Sequence, residues 1–148
     1  MNQDASSHCT VLLIDDEPFA EDIISHGLKS CKTYTLRFAS RPSMAVEIAK
    51  EIGATVVLVD LRMPEIDGFE VTRRLRADKD TEHVPVILLS SEEDPEIKAK
   101  AFAVGANDYM VKWPDPRELV ARVRYHSDAC IARRQRDAAF VSLRHMKL

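Results

Sequence analysis

Short apolar runs recur along the chain, each separated from the next by a longer stretch of mixed polarity. The runs Val11–Ile14, Val56–Val59 and Val84–Leu89 are almost continuously apolar, which is typical of strands buried on both faces. Apolar and polar residues alternate over Thr33–Ala39, which predicts a half-buried strand. A short fifth strand is predicted at Asp108–Val111.

The intervening stretches carry apolar residues at the three- and four-residue spacing of a helix. In the first stretch, Phe19, Ile23, Ile24 and Leu28 would share one face. Proline suits the first turn of a helix, and glycine commonly follows the last turn. Four helices are therefore predicted to begin near Pro18, Pro42, Gly68 and Pro95, the last ending at Gly105, and a fifth to run from Pro116 to Leu148 without a glycine or another proline.

This strand–helix alternation occurs five times, and it predicts an α/β fold with a doubly wound parallel sheet covered on both faces. Ligands of such sheets bind beyond the carboxyl ends of the strands. The polar side chains at those ends are therefore the candidate site. They are Asp15 and Asp16 after the first strand, Asp60 after the third, Ser90 after the fourth and Lys112 after the fifth.

These residue types suit phosphoryl chemistry. Clustered carboxylates repel one another and favour a bound cation. Carboxylate oxygens are ligands that Mg²⁺ prefers, and a carboxylate can act as a nucleophile that forms an aspartyl phosphate. A hydroxyl such as that of Ser90 and an ammonium such as that of Lys112 could hold the remaining phosphoryl oxygens.

Four motifs, each at a strand end, resemble those of the receiver domains of bacterial two-component response regulators. They are Ile14-Asp15-Asp16, Val59–Pro64 with Asp67-Gly68, Leu89-Ser90-Ser91 and Tyr109–Lys112. The resemblance covers about residues 9–126. It implies a flavodoxin-like sheet of strand order 2-1-3-4-5, to which the uninterrupted run from Pro116 adds an extended C-terminal helix.

The resemblance also implies a role for each matching residue. Asp60 would be the phosphoacceptor, and Ser90 and Lys112 would bind the phosphoryl group. Tyr109 would be an aromatic switch that follows Ser90. The Mg²⁺ cofactor would be held by Asp15, Asp16, Asp60 and the backbone carbonyl of Arg62. The implied partner is a sensor histidine kinase or a phosphotransfer protein. Beyond self-catalysed phosphotransfer and dephosphorylation, no enzymatic activity is expected.

The loop after the fifth strand departs from the family pattern. The family lysine is usually followed directly by proline, whereas Trp113 stands here between Lys112 and Pro114. A cis bond between two non-proline residues is costly, so the expectation is a trans loop or a cis bond at Trp113–Pro114. Trp113 could anchor a partner or pack within its own loop.

Arg62 and Glu92 each follow a site residue by two positions. Positions of this kind flank the site in the family. We expect the two side chains to pair across the site and restrict the attacking water, and the alternative is that both are simply solvated.

The sequence predicts three segments: a disordered N-terminus (1–8), the receiver (9–126) and a helical extension (127–148). Thirty-three helical residues would span ~50 Å, far beyond the ~15 Å radius of gyration of a compact domain this size. The extension therefore needs a partner, because isolated helices are marginal in water. A weak heptad seam predicts a homodimer through this helix. The surface of the fourth and fifth helices is another possible dimer interface. The alternative is that the extension is a frayed linker. The seam positions are Ala132, Arg136, Ala139, Leu143 and Met146.

The stretch Ala101–Ser127 most resembles the receivers of Wsp-type diguanylate cyclase response regulators. In that subfamily the long helix leads into a GGDEF domain, and no GGDEF motif occurs in this sequence. The chain is therefore expected to be a receiver fragment that controls a diguanylate cyclase, or alternatively a stand-alone single-domain regulator.

Composition and charge exclude several other classes of protein. The chain has 148 residues, of which 45% are hydrophobic and 30% charged, as in one ordinary globular domain. No apolar run approaches the ~20 residues of a membrane helix. The three cysteines form no CxxC pair, so we expect neither a zinc site nor disulfides. Free thiols fit a reducing compartment, so we expect a cytoplasmic location without membrane contact. Residues 117–148 carry eight basic and three acidic side chains, but no helix-turn-helix follows, so no nucleic acid is expected.

Three rival functions use the same fold or chemistry. A haloacid-dehalogenase-type phosphatase would need a carboxylate two residues after the nucleophile, where Arg62 stands. A flavodoxin-like cofactor binder would need a phosphate-binding loop after the first strand, where Asp15, Asp16 and Glu17 would repel phosphate. A phosphorylation-independent interaction module remains open because of Trp113.

Overall fold

A computed structural model describes residues 8–146, and it has the predicted α/β fold. The predicted disordered N-terminus lies outside the described residues except for His8, whose Nε2 is 2.6 Å from Thr35 Oγ1. The five strands are β1 (Cys9–Ile14), β2 (Tyr34–Ala39), β3 (Val56–Asp60), β4 (Val86–Ser90) and β5 (Asp108–Val111). The five α-helices are α1 (Phe19–Gly27), α2 (Ala45–Ile52), α3 (Gly68–Ala77), α4 (Pro95–Ala103) and α5 (Pro116–Met146).

All strand pairs are parallel, and the order across the sheet is β2-β1-β3-β4-β5. The predicted strand order is therefore confirmed. Strands β3 and β4 are fully buried, which explains their continuous apolar runs. The edge strand β2 alternates between half-buried and exposed positions.

The sheet separates two cores because successive side chains of a strand point to opposite faces. Leu12 and Val57 belong to the core under α2, α3 and α4. Val11 and Leu58 belong to the core on the other face, where Leu119 packs from α5. This arrangement places the carboxyl ends of β1, β3, β4 and β5 along one edge, as the alternation pattern predicts.

Arg76, at the end of α3, connects three parts of the chain. Its guanidinium donates hydrogen bonds to the carbonyls of Gly105 and Val84, at 2.9 and 2.7 Å. It also donates to Asn107 Oδ1 at 2.7 Å, and the same oxygen accepts the backbone N–H of Val86. Burial lowers the pKa of Arg76. The C-terminus of α3, the start of β4 and the loop before β5 are thereby held together.

Helix α5 is a single helix of 31 residues, about 46 Å long at 1.5 Å per residue. Its side chains are buried against the body of the domain at intervals as far as Cys130. Beyond that point, Arg134 donates to the carbonyls of Gly53 and Ala54, at 3.1 and 2.6 Å. Contacts with the body of the domain thus continue past residue 126, the predicted end of the receiver, and that boundary stays a prediction.

Within residues 8–146, no helix is both long and apolar enough to cross a membrane.

Candidate functional site

Three carboxylates meet at the carboxyl edge of the sheet. Asp15 and Asp16 follow β1 directly, and Asp60 is the last residue of β3. One ligand atom from each lies within 4.8 Å of the others. Asp15 is completely buried and Asp60 is 5% exposed, whereas Asp16 is partly open to solvent. The cluster that the sequence predicts is therefore present.

The ammonium of Lys112 faces this cluster from the end of β5. Lys112 Nζ lies 3.0 Å from Asp60 Oδ1 and 3.4 Å from Asp15 Oδ2. The lysine backbone N–H donates to the carbonyl of Ser90 at 2.8 Å, which continues the β4–β5 pairing into the loop. Although Trp113 separates Lys112 from the proline, the loop therefore still places the Lys112 ammonium beside the acidic cluster.

The expected conformation of that loop was wrong. The peptide bond between Lys112 and Trp113 is cis, whereas we expected a trans loop or a cis bond at Trp113–Pro114. The expectation used only the local preference of the backbone. It did not include the tertiary contacts of Lys112 with Ser90 and Asp60.

Burial raises the pKa of Asp60 above its ordinary value, and the hydrogen bond from Lys112 opposes this shift. Burial likewise raises the pKa of Asp15, against a hydrogen bond from the backbone N–H of Glu17. Two buried carboxylates therefore share one ammonium. A second positive charge would stabilise this arrangement, and carboxylate oxygens at this spacing suit a hard divalent cation.

An open cleft of about 220 Å³ lies over the cluster. It brings together the carboxyl ends of the four strands that were predicted to carry site residues. Among its lining residues are Asp16, Asp60, Arg62, Ser90, Ser91 and Lys112. The cleft therefore connects Asp60 with solvent.

The rim of the cleft carries a connected polar network around Glu92. Arg62 Nε and Nη2 donate to the two carboxylate oxygens of Glu92, at 3.0 and 3.2 Å. The predicted pairing of Arg62 with Glu92 across the site is therefore present. The hydroxyl of Ser90 donates to Glu92 Oε2 at 3.3 Å, and it accepts the backbone N–H of Glu92 at 3.1 Å. The contact between Ser90 and Glu92 was not predicted, although the two-residue spacing could have indicated it.

Tyr109 is buried, with 8% of its surface exposed. Its hydroxyl donates to the carbonyl of Glu92 at 2.7 Å, so Tyr109 ties β5 to the loop that follows β4. This contact links the residue with the implied switch role to the polar network at the rim of the cleft.

Trp113 is 37% exposed and lies beside the cleft. Its ring is 4.8 Å from Lys112 Nζ and packs edge-on against Phe19 of α1, with ring centroids 6.3 Å apart. Local packing therefore accounts for part of its surface. The contact with Phe19 was missed, because sequence spacing gives no sign of it.

The turn after β3 depends on Gly68, the first residue of α3. Its backbone N–H donates to the carbonyl of Leu61 at 2.9 Å, which closes the loop that carries Arg62. A Cβ atom at position 68 would lie 2.9 Å from the carbonyl oxygen of Asp60 and 3.0 Å from Cα of Leu61. Both are backbone atoms that cannot rotate away, so only glycine fits without a shift of the loop.

Gly68→Ala is therefore expected to destabilise the fold by about 1–3 kcal/mol, the usual cost of overpacking, and to displace Asp60. Urea unfolding would measure the change in the free energy of unfolding. Gly53→Asn is the control, because Gly53 has φ 63° but nothing within 4 Å of its Cβ position, and asparagine tolerates that φ. Equal stability of Gly68→Ala and the wild type would contradict the prediction.

The fold and this site together define the class of protein. A family model described as "Response regulator receiver domain" matches residues 11–124. The chain belongs to that family, the receiver domains of two-component response regulators. Receiver domains accept a phosphoryl group from a histidine kinase or a phosphotransfer protein, and they bind Mg²⁺ at an acidic pocket. The cluster of Asp15, Asp16 and Asp60 has the donor set that such a pocket needs.

Similar proteins carry this domain in different contexts. A Vibrio cholerae protein named "Probable cyclic di-GMP phosphodiesterase" is 35% identical over 85% of this chain and 28% of its own length. The Synechocystis "DNA-binding dual master transcriptional regulator RpaA" is 34% identical over 77% of this chain and 47% of its own length. The Vibrio cholerae chemotaxis protein CheY4 superposes with a TM-score of 0.73 at 28% identity, covering 80% of this chain and 98% of CheY4. The chain thus spans about a quarter to a half of the length of these two longer relatives.

Proposed function

We propose that Asp60 is the phosphoacceptor of this receiver. A carboxylate oxygen of Asp60 attacks the phosphorus atom of a phosphohistidine, the new O–P bond forms, and the N–P bond breaks with its electrons returning to the imidazole. With acetyl phosphate as donor, the P–O bond breaks and acetate leaves. The observation that carries this proposal is the ammonium of Lys112, 3.0 Å from a carboxylate that opens into the cleft.

Each neighbour of Asp60 has a separate task in this proposal. Lys112 would pair with the phosphoryl oxygens as charge builds on them, and the hydroxyl of Ser90 would donate to another of these oxygens. Tyr109 would then respond to the movement of Ser90. Asp15, Asp16, Asp60 and the backbone carbonyl of Arg62 would hold Mg²⁺. The bound cation would supply positive charge to the carboxylates and to a phosphoryl oxygen.

Glu92 and Arg62 also have a proposed effect on the lifetime of the phosphoryl group. Their ion pair stands beside the cleft, which Arg62 lines, and an attacking water would have to enter through this cleft. The pair would restrict that approach and slow hydrolysis. Alanine at both positions should therefore raise the dephosphorylation rate, and an unchanged rate would exclude this role.

The rival functions are less well supported by the site. Arg62 stands where a phosphatase of the haloacid-dehalogenase type would need a carboxylate, and its guanidinium is paired with Glu92. Asp16 and Glu17 stand after β1, where a flavodoxin-like cofactor would place its phosphate. A phosphorylation-independent module would not need the ammonium of Lys112 close to two buried carboxylates.

Intact-mass spectrometry tests the proposal directly. The wild type and Asp60→Asn are incubated with acetyl phosphate, with Mg²⁺ and separately with EDTA. One added phosphoryl group is expected on the wild type with Mg²⁺ only. No addition with acetyl phosphate, nor with a panel of histidine kinases, would favour the phosphorylation-independent module.

Helix α5 is the proposed route to the output, through a homodimer. The predicted seam continues upstream at heptad spacing to Ala129 and to Tyr125, which is 71% exposed. It lies on the side of α5 opposite to the residues that pack on the sheet, so a second copy could pair along it. Leu143 and Met146 continue the seam and are 58% and 80% exposed.

The dimer can be tested at a single seam position. Leu143→Glu is expected to weaken dimerisation at least about tenfold, since it places a charge in the seam. Val141→Glu is the matched control: Val141 is 52% exposed but lies on the opposite side of the helix. Sedimentation equilibrium measures both. A monomeric wild type, or equal effects of the two variants, would contradict the proposed seam.

The finer proposal for the output is control of a diguanylate cyclase domain outside this sequence, with signalling in the cytoplasm. Its support is the resemblance of the Ala101–Ser127 stretch to Wsp-type receivers and a relative whose name refers to cyclic di-GMP. The match to a DNA-binding regulator supports a different output. The test measures cyclic di-GMP in cells that express the complete gene product, either wild type or Asp60→Asn. A cyclic di-GMP level that depends on Asp60 supports the cyclase output, and an equal level in both contradicts it.

A further inference from the structure

The carboxylate of Glu92 contacts both sides of the cleft. On one side it accepts two hydrogen bonds from Arg62, which follows Asp60 by two residues. On the other side it accepts the hydroxyl hydrogen of Ser90 at 3.3 Å. Glu92 is therefore placed between the phosphoacceptor loop and the hydroxyl that the phosphoryl group needs.

A serine hydroxyl has one hydrogen and can donate it to only one acceptor at a time. In the part of the chain that the structure describes, both hydrogen bonds of the Ser90 side chain are made with Glu92. To donate to a phosphoryl oxygen on Asp60, the hydroxyl must therefore leave the carboxylate of Glu92. The two acceptors compete for the same hydrogen.

We infer that Glu92 is a positioning residue that holds Ser90 in the unphosphorylated arrangement and so weakens binding of the phosphoryl group at Asp60. This inference rests on the proposed function. By linkage, a group that binds only the unphosphorylated arrangement lowers the affinity for whatever binds the other one. Removing the carboxylate should therefore tighten binding of a phosphoryl group or its analogue.

The backbone near Glu92 is held separately from its side chain. The hydroxyl of Tyr109 donates to the Glu92 carbonyl at 2.7 Å, and the Glu92 N–H donates to Ser90 Oγ. The side chain, by contrast, is 37% exposed. Truncating the side chain therefore removes the competing acceptor while the contact between Tyr109 and the backbone carbonyl is retained.

The test is a double-mutant cycle with beryllium fluoride, which mimics a phosphoryl group on a carboxylate. The four proteins are the wild type, Glu92→Ala, Ser90→Ala and the double variant, all titrated in Mg²⁺. Trp113 is the single tryptophan of the chain, and its fluorescence reports binding beside Lys112, with calorimetry as the second readout. Glu92→Ala is expected to tighten binding roughly 3- to 10-fold, the size of one modest hydrogen bond.

The cycle separates competition for the hydroxyl from a simple charge effect. If Glu92 acts through Ser90, the gain from Glu92→Ala disappears in the Ser90→Ala background. If the gain is the same in both backgrounds, only the negative charge matters and the inference is wrong. Glu92→Gln keeps a neutral acceptor and should give an intermediate gain, whereas a charge effect predicts equal gains for Gln and Ala.

Glu93→Ala supplies the matched control. Glu93 is the exposed neighbour of Glu92, so the variant loses the same charge without touching Ser90, and no gain is expected. A gain as large as that of Glu92→Ala would overturn the inference. If the wild type binds beryllium fluoride but Glu92→Ala binds no tighter, the inference alone fails. If the wild type neither binds it nor is phosphorylated, the proposed function fails as well.

Discussion

Replacing Lys112 with methionine should slow phosphorylation of Asp60 by about 100-fold, a typical loss when one preorganised charge-stabilising donor is removed. Lys112 Nζ lies 3.0 Å from Asp60 Oδ1, and its side chain is only 17% exposed. In the proposed reaction, the ammonium would therefore already be in place where charge develops on the phosphoryl oxygens. Methionine keeps most of the side-chain volume, so the effect reports the lost charge.

The rate is measured by intact-mass time courses with acetyl phosphate and Mg²⁺. Lys32→Met is the matched control, because Lys32 is exposed in the segment before β2 and its replacement changes the net charge equally. Its rate should equal that of the wild type within a factor of two or so. A Lys112→Met rate close to the wild-type rate would exclude a direct role for Lys112 in phosphotransfer.

Replacing Arg76 with alanine should lower the free energy of unfolding by about 2–4 kcal/mol, because a partly buried guanidinium loses three hydrogen bonds. The guanidinium serves two backbone carbonyls and the side-chain oxygen of Asn107, all within 2.9 Å. Alanine would leave these acceptors without that donor. Lysine keeps the charge but cannot reproduce the planar fork, so Arg76→Lys should fall between alanine and the wild type.

Urea denaturation measures this change, with equal m-values as the sign that the unfolding reaction is the same. Arg74→Ala is the control on the same helix. Among the described residues, Arg74 forms an ion pair only with Glu70, at 3.1 Å, and the two side chains are 47% and 38% exposed. Exposed pairs contribute little, so a change within about 0.5 kcal/mol is expected. Equal losses for the two arginines would contradict the structural role of Arg76.

The fold was largely predictable because its central strands are buried on both faces. Complete burial makes Val56–Val59 a continuous apolar run, a pattern that neither an exposed strand nor a surface helix would show. The order of the strands could not be predicted in this way. The alternation of strands and helices implied parallel pairing, and only the family resemblance gave the order 2-1-3-4-5. The boundaries moved by up to three residues: β4 begins at Val86 and not at Val84, and α2 begins at Ala45 because a 3-10 turn occupies Pro42–Met44.

The candidate site was predictable because parallel strands end at the same edge. Asp15, Asp60 and Lys112 are far apart in the sequence, yet each directly follows or ends a strand, so topology alone brings them together. The hydrogen bonds between individual side chains had no comparable signal in the sequence. The bond from Ser90 to Glu92 depends on rotamers, and the bonds of Arg76 join residues 29 and 31 positions apart.

Helix α5 runs without a break from the sheet to Met146, so a domain attached to its C-terminal end would be held in a fixed orientation relative to the sheet. Two arginines anchor the helix to the body, Arg133 on His83 and Arg134 on the end of α2, and the last dozen described residues continue the same helix. Each residue added to a helix advances its end by 1.5 Å and turns it by about 100°. The number of helical residues would therefore set the orientation of any domain attached to the helix. One residue inserted into the helix would rotate that domain by about 100°, whereas seven would nearly restore its original orientation.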